Sequence, residues 1–109
     1  MSRRRAKRGA PTTGLSLPAE GKIVELALID HDFQWTTRVE WIAPPRVCVV
    51  APLRADGRPY PIEPGAPMTL AWTVTAGQLH GTGHLAALGQ DNVVTWLIQI
   101  DQVQRRQRR

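Results

Sequence analysis

A single cysteine, Cys48, stands in the 109 residues, so no disulfide within the chain can hold the fold. It sits in the apolar run Val47-Cys48-Val49-Val50, where a reduced, buried thiol is expected, and that fits a reducing compartment. No stretch approaches the roughly 18–20 consecutive apolar residues that a membrane helix needs. The basic N-terminus is not followed by the apolar core of a signal peptide, so the chain is expected to be cytoplasmic. Helical periodicity is missing as well. No segment of about ten residues or more repeats its apolar positions at 3.6, which excludes a helical bundle.

The residues of common catalytic sites are equally scarce. There is no glycine-rich phosphate loop, no Walker pattern and no cysteine pair for zinc. The two serines, Ser2 and Ser16, lie in the N-terminal leader, and apart from Asp30 and Asp32 the acids are scattered one per turn or strand. These absences argue against an enzyme. Asp30-His31-Asp32 is metal-like in type but confined to one local turn, and a hydrated turn is the expected reading. His80 and His84 have the spacing of a helical zinc pair, yet on a strand that spacing spans about 13 Å, too far for one ion.

What the chain has is turns and alternation. Nine prolines and nine glycines separate short apolar patterns, and an apolar fraction of 42% suffices for one modest core. Val24, Leu26 and Leu28 share one face of a first strand. Trp35, Thr37, Val39 and Trp41 share one face of a second, opposite Gln34, Thr36, Arg38 and Glu40. Pro44-Pro45 ends it, and residues 46–50 read as a strand buried on both faces. Asp56-Gly57 tips a loop, and residues 60–62 are expected to form a brief edge strand. Met68, Leu70, Trp72 and Val74 line a further strand. In the next, Leu79, Gly81, Gly83 and Leu85 share a face on which the glycines call for a bend or bulge. Val94, Trp96, Ile98 and Ile100 make the last inward stripe, so that all four tryptophans are expected to face the core. Six or seven short strands with tight connections predict an all-β fold, a small antiparallel barrel.

Charge divides the chain differently. Five basic residues fall in the first ten and four arginines in the last six, leaving nine acids against five basic residues between them. The body is mildly acidic and both ends are basic, so any polyanion is expected to meet the termini. The sequence thus divides into a disordered basic leader over residues 1–18, a barrel over 19–103 and a basic tail over 104–109.

Several pieces in order, Gly21-Lys22-Ile23-Val24-Glu25-Leu26, Arg38-Val39-Glu40, residues 51–58, Pro61-Ile62-Glu63-Pro64-Gly65 and a final Gln104-Arg105-Arg106, resemble the N-terminal PilZN-type domain of YcgR-like PilZ cyclic di-GMP receptor proteins. The resemblance covers about residues 17–109. It implies a small β barrel placed before a PilZ domain, with an Arg-x-x-x-Arg motif at the junction whose guanidiniums hold cyclic di-GMP. Arg105 and Arg109 satisfy that spacing. Gln104-Arg105-Arg106 also matches the Gln-Arg-Arg that leads the motif, which would make Arg106 the first motif arginine with its partner beyond residue 109, and Gln107-Arg108-Arg109 offers a second such register. The family's second motif, Asp/Asn-x-Ser-x-x-Gly, is not in this sequence, so the resemblance implies that only half of the site is here. The partners it implies are cyclic di-GMP and a protein, either a PilZ domain or a flagellar motor component, in the control of motility or exopolysaccharide. No cofactor is expected beyond that regulatory nucleotide. Two other readings of the residues stand beside it: a small barrel that meets nucleic acid through its basic ends, and a protein-interaction domain with no ligand.

Overall fold

The computed structural model describes residues 16–29, 33–75, 77–90 and 92–106. Six strands form: β1 (Ile23–Leu28), β2 (Gln34–Ala43), β3 (Arg46–Val50), β4 (Pro67–Val74), β5 (Gly77–Gln90) and β6 (Val94–Arg106). They close into an antiparallel barrel in the order β1-β2-β3-β6-β5-β4. The all-β barrel expected from the alternation is the fold observed, with six strands.

Alternation fills the interior as anticipated over most of the chain. Val24, Leu26 and Leu28 of β1, Met68, Leu70 and Trp72 of β4, and Trp96, Ile98 and Ile100 of β6 are all buried in one core. β3 is apolar on both sides because Val47, Cys48 and Val49 are all buried, which explains its unbroken hydrophobic run. In β5 the glycines do what a narrow barrel requires. The register slips between Thr82 and Gly83, where β6 carries one extra residue, and Gly83 lies against the backbone of Gln99.

Three expectations are corrected. Trp41 does not face the core: it is 45% exposed. The β2–β3 register moves from Val39 opposite Val49 to Trp41 opposite Cys48, so a bulge at Glu40 turns Trp41 outward and brings Ile42, opposite Val47, onto the core. Residues 60–62 form no strand. That loop has only an isolated bridge between Leu53 and Pro59, and Tyr60 and Ile62 pack on the core from outside the sheet. Finally, pairing does not stop at residue 103, because β6 continues through Arg106 against β5. At the other end of the chain Pro18 is buried and Leu17 packs on the core, so contacts with the barrel begin before residue 19.

Candidate functional site at the arginine-bearing end of the barrel

The strand lengths decide where the arginines go. β3 pairs with β6 only from Arg46 opposite Gln99 to Val50 opposite Thr95, whereas β5 follows β6 all the way to Gln78 opposite Arg106. The far part of β6 therefore extends past β3, held on one side by β5. Arg105 stands opposite Leu79, and cross-strand neighbours share a face, so Arg105 lies on the side of the sheet that carries Leu79 and Val103. Leu79 is buried and Val103 packs on the core, while Arg105 itself is exposed. Arg106 is fixed in the backbone ladder opposite Gln78. Arg109 lies outside the described residues, so the structure places two of the three candidate arginines on one strand end.

The other cations of the described body are largely engaged. Arg38 donates through Nε and Nη2 to Glu40 Oε2 at 3.2 and 3.0 Å. Arg54 lies 3.5 Å from Asp56, and Arg46 Nε donates to Gln99 Oε1 at 3.1 Å. Among the described residues Arg105 forms no ion pair. An open cleft of about 460 Å³ lies beside this end, where Lys22 and Glu25 of the β1 region face Thr36, Thr73 and Gln78. One cation and one anion leave it close to neutral, so it does not act as a polyanion cradle on its own.

The histidines go to separate partners. His80 Nε2 is 3.1 Å from Gln78 Oε1, and His84 Nδ1 is 3.3 Å from Asp101 Oδ2. Among the described residues no three metal-binding side chains gather at one point. The Asp30-His31-Asp32 turn lies outside the described residues. At the end of the barrel away from the arginines, Phe33 stacks on Trp35 at 5.5 Å, Tyr60 meets both rings, and Trp35 meets buried Trp96 edge-on at 6.3 Å. This aromatic cap was not foreseen, because Phe33 and Tyr60 are far apart in sequence and belong to no strand pattern.

Cys48 is 2% exposed, as its apolar surroundings imply. Burial pushes its thiol pKa up, against a hydrogen bond with Thr95 that lowers it, and the charge of Glu40 raises it further. A thiol whose folded pKa lies above its unfolded value favours folding in full below the unfolded pKa. That contribution is lost as pH rises through the folded pKa. Stability is therefore expected to decline on the alkaline side, and Cys48→Ala should flatten that decline in urea titrations. The same burial predicts that iodoacetamide labels the native protein at least about a hundredfold more slowly than the urea-unfolded chain. Equal labelling rates would contradict the buried placement.

Among the described residues no helix is long and apolar enough to cross a membrane. The chain matches no family model and no curated protein. A solved structure shares its architecture: the inhibitor of motility MotI/DgrA from Bacillus subtilis, at a TM-score of 0.67 and 14% sequence identity. The likeness covers 84% of this chain and 47% of that one, so the chain spans about half the length of the protein it resembles in fold.

Proposed function

We propose that this barrel is a non-catalytic regulatory module of a cyclic di-GMP receptor acting on motility or exopolysaccharide output, in the cytoplasm. In this reading Arg105, Arg106 and Arg109 form the arginine side of the nucleotide site, and a PilZ barrel bearing the Asp/Asn-x-Ser-x-x-Gly motif supplies the other. The observation that carries the reading is the placement of Arg105 and Arg106 on a strand end held by β5, on a barrel whose architecture recurs in a motility inhibitor. Guanidiniums are planar forks that match phosphate oxygens two at a time and stack on guanine. Anchoring their backbone in a ladder reduces the ordering cost that a free tail would incur on binding.

Calorimetry with cyclic di-GMP, cyclic di-AMP and GMP tests this. With a PilZ barrel that bears the second motif present to complete the site, guanine-selective binding with a dissociation constant on the order of micromolar is expected. Each charge-assisted hydrogen bond contributes about 1.5–3 kcal/mol, so the triple change Arg105→Ala, Arg106→Ala and Arg109→Ala should weaken it by at least about tenfold. Weak binding of all three nucleotides that vanishes equally with salt would reduce the arginines to a general charge effect.

A further inference from the structure

A barrel that is closed in its strand order is still open where its strands differ in length. β3 has five residues and β6 has thirteen. Their last rung is Arg46 opposite Gln99, and just beyond it the Ile100 amide donates to the Pro45 carbonyl at 3.0 Å. From there to Arg106 the strand pairs only with β5, and among the described residues no other strand pairs with its second side. Backbone donors and acceptors on that side form a template for an added strand.

The bulge divides this edge. Asp101, the extra residue of β6 at the register slip, is occupied by His84, and regular pairing resumes at Gln102 opposite Thr82. The regular part, Gln102-Val103-Gln104-Arg105-Arg106, contains two arginines and no acid, and Arg46 begins the neighbouring strand. A second copy pairing antiparallel along it would gather four guanidiniums on one short ladder, which like-charge repulsion opposes. A strand rich in glutamate or aspartate would be drawn to the same place.

We propose that the open edge of β6 over residues 102–106 docks an extended, acidic segment of a partner protein, which adds to the barrel as a further strand next to β6. Main-chain hydrogen bonds to the edge hold the segment, and the arginines select its acidic character. This surface does not depend on the nucleotide reading, since backbone groups hold the segment and its selection needs only the positive charge of the arginines.

The test uses the full chain, isotope-labelled, with the acetylated synthetic peptide Thr-Glu-Val-Glu-Val-Glu-Thr and its Glu-to-Lys counterpart. In hydrogen-exchange NMR the acidic peptide is expected to slow exchange of alternate amides within residues 102–106 by at least about tenfold, and the lysine peptide to slow none. Alternate amides of a strand face opposite sides. Of Val103→Pro and Gln104→Pro, one therefore removes a donor from the β5 ladder and the other removes one from the open side. The variant that keeps the native amide spectrum should bind the acidic peptide at least about tenfold more weakly than the unaltered chain. If neither variant folds, the exchange pattern of the unaltered chain decides. No slowing at millimolar peptide, or shifts of arginine side chains without amide protection, overturns the proposal. So does protection that rises with protein concentration in the absence of peptide, which would assign the edge to a second copy.

Discussion

Gly83→Ala is expected to be among the most damaging single substitutions in the chain. A methyl group at this position would overlap the carbonyl oxygen of Gln99, lie 2.9 Å from its carbonyl carbon and approach Ile100 Cα at 3.1 Å. All three atoms are backbone, in the strand that pairs with β5, so no side chain can rotate aside. Relief requires the β5–β6 ladder to part at the bulge, where the two strands share more contact than any other pair in the barrel. Overpacking costs about 1–3 kcal/mol when side chains can adjust, and a backbone overlap belongs at or above the top of that range. A loss of about 3 kcal/mol lowers the melting temperature of a domain this size by more than about 10 °C. Gly57→Ala is the control. Gly57 has φ of +85° but nothing within 4 Å of an added β-carbon, so its cost is conformational alone, about 1 kcal/mol. Urea denaturation of the two variants separates the effects. If Gly83→Ala costs no more than Gly57→Ala, the close approach of β5 and β6 is wrong.

That contrast shows which parts of the fold were legible in the sequence. Leu79, Gly81, Gly83 and Leu85 place two glycines on an inward stripe, and that pattern alone calls for a bend in the strand. The partner of the bend is another matter. Gln99 lies beyond a turn and on a different strand, and nothing in the alternation of either strand sets their register. The same limit explains the β6 end. Pattern reading stops a strand where its apolar stripe stops, yet β6 continues to Arg106 because β5 supplies a partner that begins at Gly77. Among the described side chains of that extension only Val103 packs on the core, and one residue makes no period. The candidate arginines were therefore visible by type and spacing, while the attachment of Arg105 and Arg106 to a paired strand depended on β5 and the open edge beside them on the five-residue length of β3. Register and relative strand length are tertiary facts, and local alternation does not encode them.

The tryptophans give the second large prediction and test the same limit from the other side. Trp96 and Trp41 lie in strands of similar alternating pattern, yet one is 0% exposed and the other 45%. Trp96→Ala removes the largest fully buried side chain from the middle of the core, against Trp35 and opposite Val49, and should cost about 3–5 kcal/mol. Trp41→Ala should cost about 1 kcal/mol or less, because the bulge at Glu40 already leaves the ring outside. Trp41 stands opposite Cys48, so its removal should also speed alkylation of that thiol while leaving the fold intact. Trp96→Phe distinguishes volume from polarity. Among the described residues the buried indole N–H of Trp96 has no hydrogen-bond partner, and an unpaired buried donor costs about 1–3 kcal/mol. Phenylalanine keeps most of the apolar bulk and discards that donor, so its loss should be less than half that of the alanine variant. Urea titrations of the three variants, with Cys48 labelling as a second readout, decide the matter. Comparable destabilisation by Trp41→Ala and Trp96→Ala would mean that Trp41 is a core residue and that the bulge is misplaced.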